Sequence, residues 1–195
     1  LPPQLHLTIV ARSDPPLPLS RWRARAQMSE LREDDLRFTS EEATTFLSEV
    51  MALDVSPEDI EALENRTEGW IAGLQLAAVS IQRHKDATGF IREFTGGHRY
   101  IVDYLGEEVL RQQDERVQSF LCETSILRRL SAPLCDAVIS RGGSQDMLEQ
   151  LETANLFIVP LDDERSWYRY HHLFTDFLQH QLKRHQPERI PGLHR

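Results

Sequence analysis

Phe157-Ile158-Val159-Pro160-Leu161 and Trp167-Tyr168-Arg169-Tyr170 flank the polar run Asp162-Asp163-Glu164-Arg165, and their reading decides the fold of this chain. Two β-branched or aromatic runs around an acidic turn are a β-hairpin signal. Upstream, Ser144 to Thr153 places Met147, Leu148 and Leu151 on one helical face, and Arg141-Gly142-Gly143 is a turn. Before it, Ser131-Ala132-Pro133 is a helix start, with Leu134, Ala137, Val138 and Ile139 as the apolar residues of that helix. Downstream, a helix from His172 should bury Leu173, Phe174, Phe177, Leu178 and Leu182. Helices, then a helix–turn–helix, then a hairpin specify a winged helix.

Further upstream the pattern is helical. His98 to Gln112 carries Ile101, Tyr104, Leu105, Val109 and Leu110, and Val117, Phe120 and Leu121 continue it. Gly96-Gly97 separates this part from an earlier helical module. In that module, Thr39 with Glu42 is a capping box opening a helix with Phe46, Leu47 and Val50 inward. Ser56-Pro57-Glu58-Asp59 starts a second helix, which buries Ile60 and Leu63 and ends near Arg66. A third helix follows in Thr67-Glu68-Gly69-Trp70-Ile71-Ala72-Gly73-Leu74-Gln75-Leu76-Ala77-Ala78, where Trp70, Leu74, Ala77, Ala78 and Ile81 share a face. A glycine at Gly69 permits close approach of a backbone or ligand, and a helix N-terminus attracts anions. A core helix with a tight turn accounts for the same residues.

The first residues differ. Leu5 to Ala11 is a β-branched, proline-bounded run that reads as a buried strand, Ser20 caps a short helix with Arg21, Arg23 and Arg25, and Met28 to Leu31 reads as another short strand. The fold class is therefore mainly α. An α/β remnant spans residues 1–37, a helical module 38–97 and a winged helix with its hairpin wing 98–182. Residues 183–195, polar and carrying Pro187 and Pro191, read as a linker.

The formal charge of −9 argues against broad nucleic-acid binding. Within the winged helix the reading helix offers Gln145, Asp146, Glu149, Gln150 and Glu152, with no basic residue to meet phosphates or base edges. A stand-alone winged-helix DNA-binding protein is thus the weaker alternative. Cys122 and Cys135 are too few for a disulfide scaffold or zinc site and fit reduced, buried thiols in a cytoplasmic protein. No apolar run approaches the roughly 18 residues of a membrane span, and the N-terminus has no signal-peptide pattern. The sequence contains no phosphate loop, no nucleophile elbow and no Cys beside a His base, so no catalytic residue and no metal site are expected. His171-His172, at a strand-to-helix junction, could meet an anion or serve as a partly buried cap.

Four blocks, taken in order, carry a resemblance: residues 10–19, Glu30-Leu31-Arg32 with Leu36-Arg37-Phe38-Thr39, residues 66–77, and Trp167-Tyr168-Arg169-Tyr170-His171-His172-Leu173-Phe174. Together they closely resemble the MalT-like large ATP-dependent LuxR-family transcriptional regulators, signal-transduction ATPases of the STAND class. The resemblance implies that Leu5 to Leu36 ends a nucleotide-binding domain beyond its phosphate loop, and that the chain, opening on Leu1, is a piece of a longer protein. It implies ATP or ADP as ligand, with Mg in the full-length parent. Arg12 matches a sensor arginine facing the γ-phosphate. Gly69, Trp70 and Ile71 fall where related ATPases line the adenine pocket with Gly-Leu-Pro-Leu, Ile71 standing in place of Pro. His171 or His172 matches the histidine that holds the ADP β-phosphate. His171 is favoured because it ends the strand, and the sequence leaves both open.

The same resemblance implies a switch that closes over ADP at rest and opens with ATP and an inducer to oligomerise. Its implied partners are the rest of the nucleotide-binding domain and further copies of the parent. Promoter DNA is met only through a separate C-terminal domain.

Overall fold

The structure, a computed structural model, describes residues 6–11, 13–84 and 86–193. Arg12 and the start of the expected first strand lie outside the described residues. Residues 6–11 have no regular secondary structure, with Val10 95% exposed. A lone extended segment without neighbouring strands has no partner for its N–H and C=O groups and no face to bury against. The same holds for residues 27–32, so the second short strand expected there is also absent. Between them α1 (Leu19–Ala24) forms, starting two residues earlier than expected, with Pro18 rather than Ser20 at its N-cap.

The capping box holds. The Glu42 N–H donates to Thr39 Oγ1 at 3.3 Å and the Thr39 N–H to Glu42 Oε2 at 2.9 Å, opening α2 (Ser40–Thr45). A π-helical turn continues it over Phe46–Val50, where Leu47 is buried but Val50 is 68% exposed. The wider turn rotates Val50 off the stripe that a regular helix would have given it. Ser56 caps α3 (Pro57–Thr67), accepting from the Asp59 N–H at 3.2 Å. Next come α4 (Ile71–Ile81), α5 (Ala87–Glu93) and α6 (Arg99–Tyr104), the last extended by a π turn over Leu105–Val109 and a 3-10 turn over Leu110–Gln112. Asp114 caps a new helix, α7 (Glu115–Thr124), so Val117, Phe120 and Leu121 belong to a separate element.

The winged helix is completed by α8 (Ala132–Ile139), α9 (Ser144–Thr153), strands β1 (Ile158–Pro160) and β2 (Tyr168–Tyr170), and α10 (His172–His185). The strands pair antiparallel with Ile158 opposite Tyr170 and Pro160 opposite Tyr168. Leu130 adds an isolated antiparallel bridge to β2 by exchanging both backbone hydrogen bonds with Tyr168. On α8 the buried residue is Cys135, while Leu134 is 37% exposed. Beyond α10 the described chain stays helical, through a turn at Pro187–Arg189 and α11 (Ile190–Leu193). Arg189 there pairs at 2.8 Å with Glu123, a carboxylate only 3% exposed. An apolar core cluster runs from Ala43 and Leu47 through Leu74, Phe94 and Ile101 to Leu148, Phe174 and Leu178. All five apolar residues expected on α10 are buried.

Candidate functional site at the turn between α3 and α4

α3 ends at Glu68, which adopts left-handed backbone angles (φ 50°, ψ 39°), and Gly69 follows at φ +71°. Two consecutive left-handed residues reverse the chain tightly enough for the Trp70 N–H to reach the Thr67 carbonyl at 2.8 Å. Gly69 is the one place here where glycine is required. A Cβ would lie 2.6 Å from the Phe38 carbonyl oxygen, and the Phe38 N–H donates to the Gly69 carbonyl at 2.9 Å. The chain before α2 is thereby strapped onto this turn.

The end of β2 and the start of α10 close over the same turn. His171 is 2% exposed and caps α10, its Nδ1 accepting from the Leu173 N–H at 3.2 Å. The other ring nitrogen, Nε2, lies 2.8 Å from the Thr67 carbonyl. A carbonyl only accepts, so this network assigns the neutral ring with its proton on Nε2. Burial pushes the His171 pKa down, against the opposing pull of Glu68 and the Thr67 carbonyl. Trp70, half-buried at the N-cap of α4, packs between Tyr104 (5.6 Å), Phe157 (5.1 Å) and the His171 ring (6.0 Å between centroids). Ile71 begins α4 half-buried.

Electrostatics converge on Glu68. Arg169 grips its carboxylate with both terminal nitrogens, at 2.9 and 2.7 Å, and the His172 N–H at the head of α10 adds a third donor at 2.9 Å. The His172 ring, 62% exposed, stands 3.3 Å away through Nδ1. Arg37 donates to the Glu68 backbone carbonyl at 3.0 Å and keeps a second nitrogen contact 3.7 Å from the carboxylate. Burial pushes the Glu68 carboxyl up, but the Arg169 hydrogen bonds, with the His172 N–H behind them, outweigh it and hold the carboxyl at about 2. The positive end of a 14-residue helix favours the same ionised form.

Five of the six residues singled out from sequence thus meet in one place: Gly69, Trp70, Ile71, His171 and His172. Arg12 lies outside the described residues. The two histidines differ sharply, since both ring nitrogens of His171 are engaged with backbone while the His172 ring faces outward. Sequence reasoning missed Glu68, Arg169 and Arg37 as members of this cluster. Glu68 and Arg169 are 101 positions apart. No local pattern marks such a pair, although each sits inside a block already quoted for other reasons.

Elsewhere in the winged helix, Asp146 and Glu149 of α9 and Asp163 and Glu164 of the hairpin turn are exposed. Arg165, the basic residue of that turn, pairs with Glu152 at 3.2 Å. Such a face repels a polyanion. Among the described residues no cluster of His, Cys, Asp and Glu suits a metal ion, and no helix is long and apolar enough to cross a membrane.

Residues 106–190 match the model of the MalT winged helix domain family. Over 98% of its length the chain is 33% identical to the serine/threonine-protein kinase PknK of Mycobacterium tuberculosis, covering 17% of that protein. Over its whole length it is 32% identical to the HTH-type transcriptional regulator MalT of Vibrio cholerae and 33% identical to that of Serratia proteamaculans, covering 22% of each. The chain spans less than a quarter of the length of these curated relatives.

Proposed function

The chain is MalT-like, with residues 106–190 in the family of MalT winged helix domains, and from that premise we propose that it is the regulatory arm of an ATP-dependent, inducer-responsive transcriptional regulator of the LuxR and STAND type. In this reading the helical module and winged helix close over ADP at rest. ATP and inducer favour an open arrangement in which the full-length protein oligomerises, a population shift driven by ligands that bind the two arrangements unequally. The arm itself carries no catalytic residue, and promoter DNA is met elsewhere in the full-length protein.

The observation that carries this reading is the hydrogen bond from His171 Nε2 to the Thr67 carbonyl, which joins the two characteristic blocks across 104 positions. A surface that serves only to fold one domain has no need to bring Gly69, Trp70 and Ile71 under the strand-to-helix junction of another. The acidic face of α9 favours a protein-facing role over DNA reading. The relatives add support, because one is named as a kinase and others as transcriptional regulators. A segment common to such different outputs fits control better than output.

The residues fit a nucleotide unevenly. His172, exposed beside the N-terminus of α10 with its Nδ1 3.3 Å from the Glu68 carboxylate, would hold a phosphate group, whereas His171 in this arrangement has no ring nitrogen to spare. Trp70 and Ile71 would flank the base. A bound nucleotide would supply phosphate charge at this junction, and the chain's own residues would orient and desolvate it.

The test uses a full-length protein containing this chain, purified gently, with bound nucleotide and solution mass measured for the native form and for His172→Ala. Retained ADP in the native form, with loss of ADP and a shift to larger mass in the variant, is expected. Unchanged nucleotide content and unchanged mass would remove the nucleotide reading.

A further inference from the structure

Glu68 is an unusual place for a carboxylate. It holds a left-handed backbone without being glycine, which costs on the order of 1 kcal/mol, and its side chain is only 10% exposed. Its polar groups tie together three parts of the chain. The backbone carbonyl takes Arg37 from the segment before α2, and the carboxylate takes Arg169 of β2 and the His172 N–H of α10. A bidentate, largely desolvated pair of this kind is costly to break when one charge is left without a partner.

Here release need not strand the charge. The Arg37 guanidinium, which pairs with the exposed Glu33 at 2.6 Å and Asp34 at 3.3 Å, already lies 3.7 Å from the Glu68 carboxylate, and its contact with the backbone carbonyl keeps it in place. On the other side, Arg169 is 28% exposed and also donates to the Tyr170 carbonyl at 3.3 Å, so it can fall back on water and that carbonyl. One carboxylate therefore has two cationic partners on different parts of the chain, and exchanging one for the other is a two-state element.

We propose that Glu68 is the moving part of a latch: paired with Arg169 it holds the hairpin and the head of α10 against the α3–α4 turn, and paired with Arg37 it releases them. This rests on the reading that the helical module and winged helix separate during function, and it assigns the residue that governs the separation. Thr67 to His171 and the Trp70 aromatic contacts guide re-closure, while the charge exchange sets the balance.

The test is native-state hydrogen exchange on the chain with Glu68→Gln, Arg169→Gln, the double variant and Arg37→Gln. Glu68→Gln keeps side-chain size and hydrogen bonding but removes the charge. Each of the first two should raise exchange at the His172 and Trp70 amides by about tenfold or more, with α9 amides unchanged. The double variant should add little to either single one, because the pair acts as a unit. Arg37→Gln removes the release partner and should leave these amides as slow as in the native chain or slower.

Unchanged exchange at His172 and Trp70, a uniform rise across the chain, or Arg37→Gln opening the junction as Arg169→Gln does would each overturn the latch. The nucleotide reading fails separately. If Glu68→Gln opens the junction while His172→Ala leaves nucleotide retention untouched in the full-length protein, the latch stands without the nucleotide.

Discussion

The imidazole of His171 donates from Nε2 to the carbonyl of Thr67 at 2.8 Å, while its Nδ1 receives the Leu173 N–H. One buried ring thus caps α10 and fastens it to the end of α3. Its neighbour His172, identical in type and adjacent in sequence, is mostly in solvent. The two histidines should therefore answer differently to the same substitution. His171→Ala leaves a cavity, strips the Leu173 N–H of its cap and takes one of two donors from the Thr67 carbonyl, and should cost roughly 2–4 kcal/mol of unfolding free energy. His172→Ala should stay within about 1 kcal/mol of the native chain. Urea denaturation of the two variants checks this, and equal losses would contradict the arrangement.

Acid should loosen the chain in two stages. The His171 pKa is pushed down from 6.5, by burial first, and His98 is pushed down likewise by burial and then by His84. A histidine kept neutral in the fold contributes stability that is complete above its unfolded pKa and is lost as pH falls below about 6.5. Glu68 moves from 4.5 to about 2, so its contribution is complete above 4.5 and is lost only as pH falls toward 2. The Glu68 share is on the order of 2 kcal/mol. Thermal melts from pH 7 to pH 3 should show the first stage reduced in His171→Gln and the second in Glu68→Gln.

Glycine substitutions should sort by what a new Cβ meets. At Gly96 it would fall 1.9 Å from the Leu173 carbonyl, and at Gly69 it would fall 2.6 Å from the Phe38 carbonyl with a backbone at φ +71°. Gly96→Ala and Gly69→Ala should each destabilise by at least about 2 kcal/mol, because backbone must move. At Gly142 nothing lies within 4 Å, and Gly142→Ala should be neutral or stabilise by up to about 1 kcal/mol. Differential scanning calorimetry on the three variants reads the order directly.

Duplex DNA should not bind this chain at physiological salt. The exposed carboxylates of α9 and the hairpin turn repel phosphates where a winged helix would meet the groove. Fluorescence anisotropy with labelled duplexes checks this, and salt-sensitive binding in the micromolar range would contradict it.

Removing the Ser56 hydroxyl should weaken α3 alone. Its oxygen takes the Asp59 N–H at 3.2 Å, so Ser56→Ala should cost about 1 kcal/mol and raise amide exchange in the first turn of α3 without disturbing α9.

Much of the fold was legible because local chemistry marks its own boundaries. The Thr39–Glu42 box, the Ser56-Pro57 start, the apolar stripe of α10 and the hairpin at 157–170 all fell where caps, periodicity and turn residues placed them. Where the reading missed, the cause was non-local or geometric. Residues 6–11 carry strand-type side chains but have no strand beside them, and a π turn displaced Val50.

The sequence by itself determined the Thr39 and Ser56 caps, the helix of α10, the winged-helix order and the acidity of the reading helix, since each depends on neighbours a few positions apart. Only the tertiary structure decided which histidine is buried, that Glu68 is clasped by Arg169, and that Arg37 waits beside it. Those contacts join residues about a hundred or about thirty positions apart. They exist because packing the shared core leaves one geometry in which the buried carboxylate and the carbonyls at the end of α3 find partners.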